Sequence, residues 1–368
     1  MIHPPLKRKG KTMSKINFTL AVSIEEAKTA IKTVGQYITP IIVSEPGVGK
    51  STIIKMLEAE MDNNEYDFIY VDCPVKDMMD VAASIPNHES KTLEYYVSSL
   101  FKLGNGKKKV IMLDEFMKSP KLLQIIFTRL ILERSVGDEP LPDGSIVFAT
   151  SNNSSDGVGD SMLAHVGNRV TMLKMAKPNA EQWNVWATAN KIARPIRAWV
   201  SMNPRALYSY TDGGQDDNPY IFKPSGVTAQ FVSPRSLAKA SPIVSAKAEL
   251  GEHLMMAMLA GTIGEAAAKS MAAFIALESK LIGFKDVIKA PKTVSMPDDV
   301  SAQVMMMFEA VDCVETQDDL SKYMEFVNRI PSSEVQSIFF TMIMRGKPRV
   351  ARYNQEIMKW SAENHVLM

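Results

Sequence analysis

Ile-Ile-Val-Ser-Glu-Pro-Gly-Val-Gly-Lys-Ser-Thr, residues 41–52, is an apolar run followed by a glycine-rich turn and then by a helical pattern. Phosphate binding needs this arrangement, because glycines let backbone N–H groups turn towards phosphates and a new helix adds its positive amino end. Lys50 is expected to reach the β- and γ-phosphates, and Ser51 to hold Mg²⁺. The pattern usually opens with glycine, where this chain has Ser44, a change that costs little if the backbone angle is compatible. The predicted phosphate-binding residues are Glu45, Pro46, Gly47, Val48, Gly49, Lys50, Ser51 and Thr52.

Two acidic residues follow another apolar run further along the chain. Val110–Leu113 leads into Asp114 and Glu115, and in open α/β sheets ligands bind at the edge where strands end. We predict that Asp114 binds Mg²⁺ through water and that Glu115 orients the attacking water. A carboxylate beside the γ-phosphate favours a hydrolase over a kinase, since a kinase must keep water out. The sequence contains no Asn-Lys-x-Asp motif for guanine, which argues against a GTPase.

A third polar group follows the strand pattern at 146–149. Asn152 is predicted to position water or to contact the γ-phosphate from a neighbouring strand. Taken alone, paired asparagines after a strand are ordinary turn chemistry.

Short apolar runs alternate with helical patterns over the first half of the chain, which is typical of a parallel sheet with helices on both faces. The runs are 41–43, 68–71, 110–113, 146–149 and 170–173, and the helical patterns are 50–61, 92–103 and 120–132. Residues 82–90 contain breakers that would interrupt a helix, and residues 135–144 predict a hairpin or tight turn.

The pattern becomes almost wholly helical after Lys177. The predicted fold class is therefore α/β, a parallel-sheet P-loop core followed by an all-helical lid and a helical C-terminal extension. The predicted division is a basic flexible tail at 1–20, an α/β domain at 21–176, a lid at 177–288 and the extension at 289–368.

Composition excludes several classes of protein. The 368 residues include 42 Lys plus Arg and 41 Asp plus Glu, so the net charge of +1 gives no global field for nucleic acid or an anionic membrane. Two cysteines exclude a disulfide scaffold, and the five histidines are scattered without ligand spacing. The longest uncharged apolar stretch is too short to span a bilayer. We expect a cytoplasmic protein that does not engage membranes.

These motifs, in this order, resemble the AAA+ ATPases, and more narrowly the MoxR-type group with its phage and bacterial relatives. The resemblance covers roughly residues 20–285. Residues 44–52 are similar to Walker A and residues 110–115 to Walker B, and Asn152 falls on the sensor-1 position. The resemblance implies ATP and Mg²⁺ as ligands, and a cytoplasmic location, which is the host cytoplasm if the gene is phage-encoded.

The resemblance also implies two catalytic arginines. Ser155-Asp156-Gly157, then Leu163 and Asn168-Arg169-Val170, are similar to the family's pattern before its arginine finger, although relatives usually have an aromatic residue where Val170 stands. Arg169 would therefore act on a neighbour's nucleotide, with Arg134 and Arg129 as alternatives. Ser233-Pro234-Arg235-Ser236 resembles sensor 2, which makes Arg235 the arginine that acts within its own chain. A fixed guanidinium suits charge that develops on a transferred phosphoryl group.

The implied function is ATP hydrolysis at the subunit interfaces of a ring, hexameric in such relatives, to remodel, load or activate a protein partner. Because MoxR-type ATPases are often paired with von Willebrand A domain proteins, such a protein is the expected client. The interrupted segment at 82–90 and the turn at 135–144 match insertions that face the channel in ring-forming relatives. The alternative is a motor or loader acting on nucleic acid, supported only by the basic tail. A non-catalytic nucleotide switch is a third reading, against which Lys50, Asp114 and Glu115 argue.

Overall fold

The computed structural model describes residues 20–153, 169–224 and 230–363. Strands lie in the first half of the chain: β1 (Ala21–Val22), β2 (Pro40–Ser44), β3 (Tyr66–Asp72), β4 (Ala82–Asn87), β5 (Thr92–Val97), β6 (Lys108–Asp114), β7 (Ser135–Val136), β8 (Glu139–Pro140), β9 (Ile146–Asn152) and β10 (Thr171–Met175). Six of them form one sheet in the order β1-β10-β2-β9-β6-β3, and every adjacent pair is parallel. The predicted fold class is confirmed.

Among the described residues, three helices cover the faces of this sheet: α1 (Ile24–Val34), α2 (Ile53–Glu60) and α3 (Lys121–Glu133). Alternate residues of a strand point to opposite faces, so Ile41 and Val43 pack in the cluster that contains α3 side chains, whereas Ile42 packs with α1 and α2. All residues of β2 and β9 are buried. The apolar runs of the sequence are continuous because the strands have a covered surface on both sides.

The prediction of a helix over 92–103 is wrong. Residues 92–97 form β5, which pairs antiparallel with β4, and a short 3₁₀ turn, Ser99–Phe101, follows. β5 is Thr-Leu-Glu-Tyr-Tyr-Val, a composition of β-branched and aromatic residues that favours a strand. The interrupted segment at 82–90 is accordingly the first strand and turn of a hairpin and not a broken helix.

A second hairpin lies at 135–140, where β7 and β8 pair antiparallel, as the turn residues predict. A Cβ placed on Gly137 would lie 3.5 Å from Ala82 Cβ and 3.7 Å from Val97 Cγ2. The turn of the β7–β8 hairpin therefore packs against the base of the β4–β5 hairpin.

From residue 180 onwards, the regular elements of the described ranges are helices and 3₁₀ turns. The helices are α4 (Ala180–Ala189), α5 (Arg194–Met202), α6 (Pro234–Ser245), α7 (Lys247–Ile263), α8 (Glu265–Leu277), α9 (Phe284–Lys289), α10 (Val300–Cys313), α11 (Gln317–Val327), α12 (Ser333–Gly346), α13 (Pro348–Ala351) and α14 (Gln355–Glu363). One hydrophobic cluster runs through them from Trp183 to Ile357 and includes Met305, Met306 and Met307. The methionines fill this core, as a flexible thioether can. The domain limits stay a prediction.

Within the described ranges, no helix combines the length and the apolar character that crossing a bilayer requires.

Candidate functional site

The loop after β2 has the backbone that its glycines predict. Gly47 has φ +77° and Gly49 has φ +114°, conformations that favour glycine. The 3₁₀ turn Lys50–Thr52 and then α2 follow directly. The chain therefore passes from a buried strand through a curled loop into a helix amino end, which is the geometry that binds phosphate.

Lys50 is buried, and its ammonium group lies inside the loop. Its Nζ donates hydrogen bonds to Asn152 Oδ1 at 2.8 Å, to the Glu45 carbonyl at 3.0 Å and to both the carbonyl and Oγ of Ser44 at 3.1 Å. Ser44 ends β2 and contributes a hydroxyl acceptor, which accounts for serine at a position where glycine is usual. Because β2 and β9 pair with Ser44 opposite Asn152, the sheet register brings Asn152 to the lysine.

Asp114 is the centre of a cluster of oxygen atoms. Ser51 Oγ donates to Asp114 Oδ2 at 3.0 Å, and Tyr70 OH donates to the same atom at 2.7 Å. Thr150 Oγ1 donates to Asp114 Oδ1. Hydroxyl and carboxylate oxygens are the ligands that Mg²⁺ prefers, so Ser51 and Asp114 fit the predicted metal site.

Glu115 stands immediately after β6 in a left-handed conformation, with φ +52°. Its backbone N–H donates to Thr150 Oγ1 at 3.3 Å, and its carboxylate accepts a hydrogen bond from Lys118 Nζ at 2.5 Å. A non-glycine residue with positive φ is uncommon, and such strain concentrates at functional sites. At Glu115 the left-handed conformation turns the chain out of the sheet, at the carboxyl ends of the strands where the phosphate loop also lies.

Arg235 joins this group from the helical region. It lies in the first turn of α6, after the N-cap Ser233, and its backbone N–H donates to the Gly47 carbonyl at 3.1 Å. The pocket so formed is lined by Pro46, Gly47, Gly49, Lys50, Ser51, Asp114, Glu115, Asn152 and Arg235. Residues from four separate stretches of the sequence thus meet at one place, whereas the predicted residues Glu45, Val48 and Thr52 do not line the pocket.

Arg169 does not line this pocket and is exposed. It stands two residues before Thr171, which pairs with Pro40 at the start of β2, whereas the phosphate loop follows Ser44 at the end of that strand. The separation along the strand is ~13 Å at 3.3 Å per residue. The preceding motif residues, Ser155–Gly157, Leu163 and Asn168, lie outside the described residues.

The two alternative arginines already have partners. Arg134 donates to Thr39 Oγ1 and to the Ile131 carbonyl, both at 2.6 Å, and burial lowers the pKa of its guanidinium. Arg129 is exposed and pairs with Glu133 at 3.0 Å and with Asp138 at 3.1 Å. Arg134 therefore ties the carboxyl end of α3 to the segment before β2, which favours a structural role.

Three side chains at the site were not predicted: Tyr70, Thr150 and Lys118. Burial and the adjacent Asp114 carboxylate raise the pKa of Tyr70 far above its ordinary value, so its hydroxyl keeps the proton that it donates. A signal for Thr150 was present, because it lies two residues before Asn152 and shares its face of the strand. Nothing in the sequence near Tyr70 pairs it with Asp114, since only the β3–β6 register does so.

A larger cavity of about 660 Å³ lies in the helical region, between α5 and the ends of α7, α10 and α12. Several of its charged side chains pair with one another. Arg197 and Asp312 form a two-pronged contact at 2.5 and 3.0 Å, and Lys247 contacts Glu278 at 2.6 Å. This cavity contains none of the predicted site residues.

No protein-family model and no curated protein sequence matches the chain. Solved structures with some similarity to this chain include a candidate ATPase from Cytophaga hutchinsonii at 16% identity, with 75% of this chain and 89% of that one covered and a TM-score of 0.32. A RuvB mutant from Thermotoga maritima is 12% identical, with coverages of 85% and 88% and a TM-score of 0.35. NtrX from Brucella abortus, in complex with ATP, is 9% identical, with coverages of 94% and 67% and a TM-score of 0.36. These similarities are weak, and the site is defined by the geometry of the chain itself.

Proposed function

We propose that this chain is an ATPase of the AAA+ type, similar to the MoxR group, which hydrolyses ATP at the subunit interfaces of a ring. The observation that carries the proposal is the single pocket in which Lys50, Ser51, Asp114 and Glu115 meet Arg235 at the carboxyl edge of a parallel sheet. That edge is where open α/β sheets bind ligands.

Each side chain has a role that its position supports. When ATP binds, Lys50 would exchange its hydrogen bonds within the loop for hydrogen bonds to the β- and γ-phosphates. Ser51 and Asp114 would hold Mg²⁺, which would offset negative charge on the phosphates. Glu115 would orient the attacking water and take its proton, while Asn152 would hold that water or the γ-phosphate. Arg235 would meet charge on the phosphates from the helical region, so the position of α6 would follow the nucleotide state.

Arg169 would act on the nucleotide of an adjacent subunit. Two observations support this role. Arg169 is exposed, and it lies at the amino ends of the strands, whereas the phosphate loop of the same chain lies at their carboxyl ends. From there it would be presented to a neighbour in a closed ring, which we propose is hexameric.

The ring would remodel, load or activate a protein client in the cytoplasm, with a von Willebrand A domain protein as the first candidate. Support comes from the β4–β5 hairpin, which exposes Ile85, Leu93, Tyr95 and Tyr96 at 45% to 65%. Exposed apolar patches are found at sites where proteins bind other proteins. The alternative client, nucleic acid, rests on the basic tail, which lies outside the described residues.

The direct test is Glu115→Gln. This change keeps the size and removes the base, so the variant should bind ATP as the wild type does and hydrolyse it at least about 100-fold more slowly. Equilibrium binding of a fluorescent ATP analogue and release of phosphate measure the two steps separately.

Lys50→Ala should lose binding itself, and Glu139→Gln, the same change at an exposed acid in β8, should alter neither step. Equal turnover by Glu115→Gln and wild type would remove Glu115 from its role. Failure of the wild type to bind ATP would refute the whole proposal.

A further inference from the structure

Glu45 places a carboxylate inside the phosphate-binding loop. The residue is only 6% exposed, and Ser209, at the start of a 3₁₀ turn in the helical region, donates its hydroxyl proton to Glu45 Oε1. A buried carboxylate is costly unless it is paired, and beside a triphosphate it would also repel the ligand. A positive charge near Glu45 would offset this cost.

Lys177 carries a positive charge in this neighbourhood and acts on Glu45 without an ion-pair contact. It lies between β10 and α4, where the α/β half joins the helical half, and its side chain is partly buried. Burial lowers the pKa of Lys177 to about 8, while the Glu45 and Asp212 carboxylates oppose this change by favouring the charged form. At pH 7 the side chain is thus an ammonium group, and the carboxylates of Glu45 and Asp212 favour this charged form.

The same ammonium group joins two distant segments of the helical region. Lys177 Nζ donates to the Tyr208 carbonyl at 3.1 Å and to the Val232 carbonyl at 3.4 Å. Each of these carbonyls comes one residue before a serine that contacts the phosphate loop.

Both serines meet the loop directly. Ser209 bonds Glu45, as described above, and Ser233 packs on Gly47, so closely that a Cβ placed on Gly47 would lie 2.6 Å from Ser233 Oγ. α6 then begins, and its Arg235 N–H bonds the Gly47 carbonyl at 3.1 Å. The path from Lys177 to the pocket therefore consists of two short branches, one to Glu45 and one to Gly47 and Arg235.

We propose that Lys177 is a positioning residue for the nucleotide site: it holds the segments that carry Ser209 and Arg235 against the phosphate loop, and its charge offsets that of the buried Glu45 carboxylate. Lys177 does not line the pocket, so it would act through Glu45, Gly47 and Arg235. This inference rests on the proposed ATP site.

The test compares steady-state ATP hydrolysis in four variants of the full-length chain. Lys177→Met keeps the length of the side chain without its charge and should raise KM for ATP by about tenfold or more, the equivalent of about 1.4 kcal/mol, with a smaller fall in kcat. Lys177→Arg keeps the charge and both carbonyl contacts and should stay near the wild-type KM. Lys239→Met, the same change at an exposed site on α6, is the matched control and should leave KM and kcat unchanged.

The fourth variant combines Lys177→Met with Glu45→Gln. If the ammonium serves to neutralise the carboxylate, removing both charges should recover most of the KM that Lys177→Met loses, because the two effects are not additive. Loss of active protein alone would lower kcat with KM unchanged, and Glu45→Gln would not correct it.

A wild-type KM for Lys177→Met, or no recovery in the double variant, overturns the inference while leaving the ATP site intact. Absence of hydrolysis by the wild type would instead refute the proposed function. Should Lys177→Met fail to fold, Ser209→Ala removes the Glu45 contact from a surface turn, and a wild-type KM in that variant would equally overturn the inference.

Discussion

Gly47 is the residue at which the phosphate loop meets the helical region. Its φ of +77° disfavours any side chain, and Ser233 occupies the space into which a Cβ would point. Gly106 has a similar φ of +71° and no atom within 4 Å of its would-be Cβ. Substitution of Gly106 measures the cost of the backbone angle alone, whereas substitution of Gly47 measures that cost together with the cost of the contact with Ser233.

Gly47→Ala should destabilise the protein more than Gly106→Ala. The angle alone costs about 1–2 kcal/mol in either variant, and forcing a methyl group against Ser233 adds about 1–3 kcal/mol at Gly47. Urea unfolding followed by circular dichroism measures the difference.

Ser233→Gly provides the internal check for this prediction, since glycine at an N-cap costs only a few tenths of a kcal/mol. In that background Gly47→Ala should become about as mild as Gly106→Ala. If Gly47→Ala stays equally damaging with Ser233→Gly, the close approach of α6 to the loop is not its cause.

At the scale of the element, the β4–β5 hairpin differs from every other strand pair in the described chain because most of its residues are exposed. A two-stranded hairpin is marginally stable alone, and this one is held at its base by the β7–β8 turn and by the Ser98 N–H bond to the Val81 carbonyl at 3.0 Å. Exposed Leu93 and Tyr96 therefore contribute little to stability and would be accessible to the proposed client.

Leu93→Ser with Tyr96→Ser should leave folding and basal ATP hydrolysis unchanged, within about 0.5 kcal/mol of unfolding free energy, and should weaken client binding. Tyr353→Ser, at a tyrosine that is 74% exposed in the helical region, is the matched control. Binding to a purified von Willebrand A domain partner, measured in the Glu115→Gln background with ATP, provides the readout.

Undiminished binding by the hairpin variant, or an equal loss in Tyr353→Ser, would contradict a client role for this hairpin.

At the scale of the whole molecule, the site described here is built by one chain except for the arginine proposed to come from a neighbour. Arg235 reaches its own pocket, and Arg169 lies at the other edge of the sheet. An assembly in which these two edges face each other would complete each pocket with a second guanidinium.

Arg169→Ala should hydrolyse ATP at least about 1,000-fold more slowly and still bind it, in line with the loss of an arginine finger. Mixing this variant with Lys50→Ala should restore part of the activity, because each Lys50→Ala subunit contributes Arg169 to a neighbour with an intact phosphate loop. Phosphate release as a function of mixing ratio measures the recovery.

Sedimentation of each variant with ATP is the control, since recovery requires that both assemble. Intact assembly without recovery would exclude Arg169 as the residue that acts between subunits.

Local pattern was sufficient to predict the curled loop after β2, the place of the two acidic residues at the end of a strand and the alternation of strands and helices. A phosphate-binding loop requires several features within a few residues of one another: an uninterrupted apolar strand, glycines at positive φ, a lysine and a serine. A short stretch of sequence is therefore enough to predict it. The segment at 92–103 was assigned to the wrong element because short runs with β-branched and aromatic residues fit either periodicity.

Contacts between distant residues depended on folding. Tyr70 meets Asp114 through the β3–β6 register, Ser209 meets Glu45 across 164 positions, and α6 docks on Gly47 from the other half of the chain. No local pattern encodes these pairs, because they arise when the buried faces of the sheet and of the helical region fix the two halves against each other. The chemistry of the loop is thus local, whereas the charge balance around Glu45 exists only in the folded molecule.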